Sequence, residues 1–282
     1  MRKLGLIAGG GRLPFEVAGW CEKAGRPFHV ARLRGFANPD LARFPGLEVG
    51  IAEFGKCVDA LKKAGCEAVC FAGIVTRPDF GALKPDLKGL TILPGAIAAA
   101  RNGDDALLRF LLQQFEKEGF KVEGATDVMH GLAVGPGTLG HVRPSRSQHA
   151  DLGKALEIAA AVGRMDAGQG AVVCDGLVLA IEAQEGTDAM LRRVAELPVE
   201  IRGTPEARRG VLAKVPKPIQ ERRVDLPTIG PKTVELAAAA GLAGIAGESD
   251  GLIVLDREAV IETADRLGLF VWGASVRGPD PE

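Results

Sequence analysis

The start of the chain contains the feature that most constrains the fold: a short apolar run is followed at once by three glycines and an amphipathic segment. The run at residues 3–8 predicts a strand, and residues 13–24 predict a helix, with Pro14 in the first turn, where proline is favoured. Glycine allows the tight turn between them. This order is typical of the first unit of a parallel α/β sheet.

The same alternation continues through the first half of the chain. Residues 27–33 and 67–72 predict two further strands, and residues 55–64 and 104–118 predict two helices. The helix at 104–118 carries its leucines and Phe115 on one face, as a helix packed on a core requires. Short strands alternating with helices predict a parallel sheet with right-handed crossovers.

The second half has a different texture. Residues 131–140 contain four glycines and a proline, which predicts a linker or loop. Asp175-Gly176 between two apolar runs predicts a hairpin and therefore a mixed sheet. The other predicted helices are 148–162, 187–196, 231–240 and 257–267, and the other predicted strands are 211–215, 252–255 and 269–272. We therefore expect an α/β protein with a Rossmann-like, nucleotide-binding parallel-sheet domain at 1–130 and a mixed α/β catalytic domain at 131–282.

Composition excludes several classes of function. The 35 basic and 36 acidic residues nearly cancel, which argues against a protein that binds nucleic acid through a general basic field. The five cysteines form no CxxC pair, and Cys70 and Cys174 lie in apolar runs, so we expect core thiols in a reducing cytosol. We find neither a signal-peptide pattern nor an apolar run of about 18 residues, and we expect a cytoplasmic protein.

The glycine turn at residues 9–11 is the first candidate binding site. Backbone N–H groups at such a turn can approach a phosphate closely, and the dipole of the following helix favours an anion. The spacing is neither the GxGxxG dinucleotide fingerprint nor a Walker A loop. We expect Gly10 and Gly11 to contact a phosphate, and a purely structural turn is the alternative.

The segment at residues 214–233 is the second candidate. It is rich in proline, and four basic residues precede the single Asp225. Lys214, Lys217 and the following helix start could bind a diphosphate, while Asp225 could hold Mg²⁺. A solvated loop is the alternative.

Other segments give weaker signals. Thr187 and Asp188 follow an apolar strand and would serve either as helix caps or as a ligand-facing loop. Asp104 begins a predicted helix, and capping is the favoured interpretation there. The four histidines fall in no motif and GxSxG is absent, so a nucleophilic triad is poorly supported.

Six segments together resemble one family. They are LIAGGGRLP (6–14), FAGIVTRPD (71–79), GDDALLR (103–109), EGTDAMLRR (185–193), LAKVPKPIQERRVDLPTIGPKT (212–233) and GIAGES (244–249). In this order they resemble the UDP-2,3-diacylglucosamine pyrophosphatases that are distinct from the calcineurin-like enzyme for the same step. The resemblance spans both halves of the chain.

The resemblance implies a Mg²⁺-dependent hydrolase of lipid A biosynthesis that converts UDP-2,3-diacylglucosamine to UMP and 2,3-diacylglucosamine 1-phosphate. It puts the essential acidic residue at Asp225. We expect Asp225 to act as metal ligand or general base, with Lys214 beside it in catalysis. The candidate substrate-binding residues are Gly10, Gly11, Arg12, Leu13, Gly73, Asp104, Thr187, Asp188, Lys217, Thr228 and Gly230. We expect no nucleic-acid partner, and peripheral contact with the inner membrane and a homodimer stay open.

Two other functions remain as alternatives. A nicotinamide-dependent oxidoreductase would suit the strand–turn–helix at the N-terminus, but Arg32 and Arg34 stand where a ribose-binding carboxylate would be expected. A non-catalytic nucleotide or lipid carrier is the second alternative. Leu132, Val134, Leu139 and Val142 could line an acyl groove, although we expect them in the core.

Overall fold

The computed structural model describes residues 1–218 and 221–275. The chain divides into two compact units, Met1–His130 and Gly131–Glu282, and the second begins at the glycine-rich segment. Each unit has its own β-sheet.

The first unit contains a five-stranded sheet that is parallel throughout, as predicted. The strands, in the order β3-β2-β1-β4-β5, are β1 (Leu4–Ala8), β2 (Phe28–Leu33), β3 (Gly46–Val49), β4 (Ala68–Ala72) and β5 (Lys121–Val122). The helices are α1 (Leu13–Lys23), α2 (Phe54–Lys63), α3 (Leu87–Ala100), α4 (Asp104–Lys117) and α5 (Ala125–Val128). Every residue of β1 is buried, as expected for a central strand of a parallel sheet.

The strand order creates a switch point beside β1. The chain runs from β1 outward through β2 to β3 and then crosses to β4 on the other side of β1. Ligands of open α/β sheets bind at the carboxyl ends of strands where the order reverses in this way. The glycine turn at residues 9–11 and the loop after β4 both lie at this edge.

The second unit contains a six-stranded mixed sheet, as predicted. Its strands, in the order β6-β13-β11-β9-β7-β8, are β6 (Gly137–Leu139), β7 (Gly170–Cys174), β8 (Leu177–Ile181), β9 (Val211–Lys214), β11 (Gly244–Glu248) and β13 (Phe270–Ala274). Two short strands, β10 (Thr228–Ile229) and β12 (Ile253–Val254), pair separately. The helices are α6 (Arg146–Arg164), α7 (Gly186–Ala195), α8 (Pro231–Ala239) and α9 (Arg257–Leu267).

The apolar residues of this sheet face two helical layers. One core packs the sheet against α7, α8 and α9, and α6 packs on the other face. Strands β8, β9, β11 and β13 all run in the same direction, since β7 is antiparallel to both β8 and β9. Their carboxyl ends therefore lie along one edge of the sheet.

The prediction of a linker or loop at residues 131–140 was wrong in part. Residues 137–139 form β6, which pairs antiparallel with β13. Leu132, Val134 and Leu139 are buried in the core, as we preferred, while Val142 is half-buried and packs against the core. In the described part of the chain, no helix combines the length and the apolar character needed to cross a bilayer.

Candidate functional site

The glycine turn of the first unit is bound to the loop that follows β4. The amide of Gly10 donates to the carbonyl oxygen of Ile74 at 2.8 Å, and the amide of Ile74 donates back to Gly10 at 2.9 Å. The amide of Gly9 donates to the carbonyl of Ala72 at 2.8 Å. Two of the three glycine amides therefore already have backbone partners.

Backbone packing explains two glycines at this edge. A Cβ added at Gly9 would lie 2.8 Å from the carbonyl oxygen of Ile74, and one at Gly73 would overlap the carbonyl oxygen of Gly10. Gly11 differs, because a Cβ there would meet open space, with a side-chain carbon of Ile74 as its nearest neighbour at 3.9 Å. Its φ of +83° is what calls for glycine. The phosphate-binding prediction therefore depends on Gly11 and the start of α1 rather than on the amide of Gly10.

A cleft of about 1130 Å³ opens beside the start of α1. Residues from α1 and from the segment after β2 line it, among them Gly11, Arg12, Phe15, Trp20, Asn38 and Arg43. Leu13 is the first residue of α1. Helix starts leave amide groups without intrahelical acceptors, so this edge is suited to an anion.

Asp104 does not cap helix α4 but forms an ion pair with the loop after β4. Gly103 is the N-cap of α4, and Asp104 lies in the first turn. Its carboxylate is 3.5 Å from Arg77, whose guanidinium also donates to the carbonyl of Ala100 at 2.7 Å. The side chain of Asp104 is 77% exposed and is accessible to a ligand.

A buried polar cluster lies at the carboxyl edge of the second unit's sheet. Lys214, the last residue of β9, is 4% exposed. Its Nζ donates to Thr187 Oγ1 at 2.6 Å and is 3.5 Å from the carbonyl oxygen of Thr228. Thr187 in turn donates to Glu182 Oε1 at 2.8 Å. The ends of two strands, the first turn of α7 and the start of β10 thus converge on one ammonium group.

The charge of Lys214 depends on its surroundings. Burial lowers the pKa of Lys214, while the carboxylates of Glu182 and Asp188 act in the opposite direction. Within the described residues, Glu182 Oε2 is buried and has no hydrogen-bond partner.

The starts of α7 and α8 are linked by an ion pair. Asp188 in the first turn of α7 lies 2.6 Å from Lys232 in the first turn of α8, and Gly230 is the N-cap of α8. The expectation that Thr187 or Asp188 caps α7 was wrong, because the helix begins at Gly186. Two helix N-termini beside Lys214 form a setting that favours an anion.

The segment around Asp225 differs from the expected cluster of basic residues around one acid. Lys217 lies 2.9 Å from Asp166. Arg222 and Arg223 likewise form ion pairs with other carboxylates, those of Glu248 and Glu221. Asp225 itself is exposed, and its amide donates to the carbonyl of Glu221 at 3.0 Å. Ile219 and Gln220 of this segment lie outside the described residues.

The donor groups available to a metal ion near Asp225 are few. Among the described residues, no group of three or more acidic, histidine or cysteine side chains is placed to hold a metal. Mg²⁺ in phosphoryl-transfer sites is commonly held by one or two carboxylates together with substrate phosphates and water. An exposed carboxylate such as that of Asp225 fits this pattern, whereas a preformed all-protein cage does not.

Sequence reasoning missed three residues at these edges: Arg77, Glu182 and Lys232. The signal for Glu182 was present, because it follows buried Ala180 at strand spacing and therefore continues the inward-facing side of an apolar run. Arg77 and Lys232 lie in two of the segments that resemble the family, but only their ion pairs with Asp104 and Asp188 show that they belong to these edges.

Comparisons with known proteins cover almost the whole chain. Residues 3–132 match the family model of the LpxI N-terminal domain, and residues 135–272 match that of the LpxI C-terminal domain. A relative from Caulobacter vibrioides, UDP-2,3-diacylglucosamine pyrophosphatase LpxI, is 65% identical over 273 residues, which is 97% of this chain and 98% of the relative.

Proposed function

This chain belongs to the LpxI family, and from that premise we propose that it is a UDP-2,3-diacylglucosamine pyrophosphatase, an enzyme that hydrolyses a diphosphate bond. The observation that carries the proposal is the 65% identity over 97% of the chain. The expected products are UMP and 2,3-diacylglucosamine 1-phosphate, which makes the reaction a step of lipid A biosynthesis.

The carboxyl edge of the second unit's sheet is the proposed site of the diphosphate. Lys214 and Lys232 contribute positive charge there, and α7 and α8 begin beside them. A diphosphate repels an attacking water through its own negative charge, so fixed positive groups aimed at its oxygens lower the barrier. Thr187 and Gly230 belong to the same edge and are proposed to contact the substrate.

Asp225 is proposed as the acidic residue of the reaction. Bound Mg²⁺ would supply charge neutralisation at the diphosphate. The exposed carboxylate of Asp225 would hold that ion together with the substrate phosphates, or it would accept a proton from the attacking water. Both roles need an exposed carboxylate that a ligand can reach.

The carboxyl edge of the first unit's sheet is proposed to bind the nucleotide part of the substrate. Its support is the open space beside Gly11 and the start of α1 at Arg12 and Leu13. Gly73 would contribute indirectly, since its lack of a side chain lets the loop after β4 lie against the glycine turn. We further propose a cytoplasmic enzyme that touches the inner membrane, where a diacylated substrate would reside.

The test is a direct assay of the purified protein. UDP-2,3-diacylglucosamine in ¹⁸O-labelled water is incubated with Mg²⁺ or with EDTA, and the products are followed by ³¹P NMR and mass spectrometry. We expect UMP and the lipid 1-phosphate to form in the presence of Mg²⁺ but not in the presence of EDTA. The product that contains ¹⁸O identifies the phosphorus that water attacks. Intact substrate in the presence of Mg²⁺ would overturn the proposal. Reduction or oxidation of an added nicotinamide cofactor would favour the oxidoreductase instead.

A further inference from the structure

Glu182 is a buried carboxylate at the edge proposed for the diphosphate, and the reaction as described above gives it no role. It follows β8 directly and is 6% exposed. Oε1 accepts the hydrogen bond of Thr187 at 2.8 Å and lies 3.9 Å from Lys214 Nζ. Oε2 is buried, and the described residues offer it no hydrogen bond.

The neighbouring strand leaves room for this carboxylate. A Cβ added at Gly170 would lie 2.5 Å from Glu182 Oε2, and one added at Gly168 would overlap the carbonyl oxygen of Glu182. The backbone of Glu182 is fixed as well, since its amide donates to the carbonyl of Gly170 at 2.8 Å. In the sheet, Gly170 is paired with Lys214. Gly170 of β7 therefore lies between Glu182, at the end of β8, and Lys214, at the end of β9, and its lack of a side chain leaves room for the two charged groups.

The two buried charges compensate each other. A buried carboxylate is costly unless a cation or hydrogen-bond donors stabilise it, and the same holds for a buried ammonium. Lys214 is the cation next to Glu182, whereas Lys232 is paired with Asp188 on the exposed surface. Thr187 lies between them and is bonded to both.

We propose that Glu182 is a positioning residue whose carboxylate holds the Thr187 hydroxyl and the Lys214 ammonium in place at the edge where the diphosphate binds. The inference rests on the proposed function. It deepens that function by identifying what orients two groups of the site, although Glu182 itself contacts no substrate.

A charge effect separates this role from simple packing. The acidic groups that face Lys214 are Glu182, from the end of β8, and Asp188, from α7 and paired with Lys232 of α8. Since burial lowers the pKa of Lys214 and Glu182 opposes that effect, removal of the Glu182 charge should let Lys214 lose its proton at a lower pH.

Glu182→Gln is the informative variant, because it keeps the shape and an acceptor for Thr187 but removes the charge. We expect kcat to fall about tenfold at neutral pH, and the alkaline limb of the kcat/KM profile to move down by about one unit or more. Glu182→Ala also loses the Thr187 bond and should lose on the order of 10²-fold. Asp151→Asn is the matched control, since Asp151 is a carboxylate of similar burial, 5% exposed, that binds a hairpin turn instead. It should keep the wild-type pH profile even where it lowers stability.

A second readout does not depend on activity. The ¹³Cε resonance of Lys214, assigned with Lys214→Arg, is titrated in the wild-type protein and in Glu182→Gln. We expect the midpoint to fall in the variant. If the wild-type enzyme is active but Glu182→Gln leaves both the pH profile and the Lys214 titration unchanged, the inference is overturned and the proposed function is not. Inactive wild-type enzyme overturns the proposed function, and the titration still decides whether Glu182 and Lys214 are coupled.

Discussion

Arg222 and Glu248 form a two-pronged ion pair, with Nη1 2.6 Å from Oε1 and Nη2 3.0 Å from Oε2. Glu248 is the last residue of β11, so the pair ties the segment before Asp225 to the carboxyl edge of the sheet. After Asp225, Thr228 is fixed by the pairing of β10 with Ile253 of β12. Residues on both sides therefore hold the backbone at Asp225, and its side chain can be removed without loss of that anchoring.

Asp225→Ala tests the proposed chemistry. We expect kcat to fall on the order of 10²-fold or more, because a metal ligand or a general base is lost. Affinity for UDP-2,3-diacylglucosamine should largely persist, since the basic residues and helix starts remain. The measurement compares kcat at saturating Mg²⁺ with substrate affinity from calorimetry. Glu206→Ala, an exposed acid elsewhere in the second unit, is the control. Near-normal turnover by Asp225→Ala would show that Asp225 takes no part in the reaction and lies in a solvated loop.

Gly11→Ala tests whether the first unit binds the nucleotide part of the substrate. Gly25, which ends α1, also has a positive φ, +65°, and open space around it, so Gly25→Ala carries the same backbone strain away from the edge. Each variant should lose about 1–2 kcal/mol of stability. UDP affinity, measured by calorimetry on the folded proteins, should fall only in Gly11→Ala. Equal affinities in the two variants would mean that the turn is structural.

Asp151 secures the β7–β8 hairpin. Its two carboxylate oxygens accept the amides of Asp175 and Gly176 at 2.8 Å each, and Asp151 is buried. Asp151→Ala removes both acceptors and should lower the free energy of unfolding by about 1–3 kcal/mol. Urea denaturation measures the loss. Lys154→Ala, which removes only an exposed donor to the carbonyl of Gly176, should cost less than about 1 kcal/mol. A smaller loss for Asp151→Ala than for Lys154→Ala would contradict the assignment.

Asp265 should make stability depend on acid pH. The amide and ring of His141 hold the pKa of Asp265 below its usual value of 3.8. A carboxyl group whose pKa is lowered by folding stabilises the folded state. This stabilisation is fully present above pH 3.8, the usual pKa, and is lost as the pH falls through the lower pKa of the folded state. The stability difference between wild type and Asp265→Asn should thus be constant near neutral pH and shrink below about pH 4. Urea unfolding over a pH series measures it, and a difference that persists unchanged to pH 2 would refute the assignment.

The cysteines should be unreactive in the folded protein. All five are buried, and burial raises the pKa of Cys21 and Cys174 to about 11. Since the thiolate is the reactive form, a disulfide reagent at pH 7.5 should modify the native protein slowly and the urea-unfolded protein rapidly. A thiol that reacts at once under native conditions would show that one of these sites opens readily.

The elements that sequence predicted well have strong local signals. The apolar run that became β1 and the Asp175-Gly176 turn, where both residues have positive φ, needed no tertiary information. Helix α3 was missed because Pro94 lies inside it and Leu87 and Leu90 are exposed, which obscures the helical pattern. Such positions are decided by packing rather than by propensity.

Strand β11 was missed because glycines interrupt its apolar pattern. Gly244 and Gly247 weaken its pattern, yet a Cβ at either position would collide with Phe270 or Leu252, so glycine there serves close packing. The candidate site divides in the same way. Sequence motifs identified Lys214 and Thr187, but the approach of Lys214 to Glu182 depends on the order of β9, β7 and β8 in the sheet and could not be inferred from spacing.

The position of β13 has a consequence for biosynthesis. Among the described residues this strand is the last of the second unit, yet it lies between β6 and β11 inside the sheet, and β6 is the first strand of that unit. On the ribosome, the first unit has all five of its strands once residue 122 has emerged and can fold while translation continues. The second must keep β6 unpaired until Phe270–Ala274 arrives. A chain released before that point would carry a finished first unit and an open, aggregation-prone sheet edge in the second.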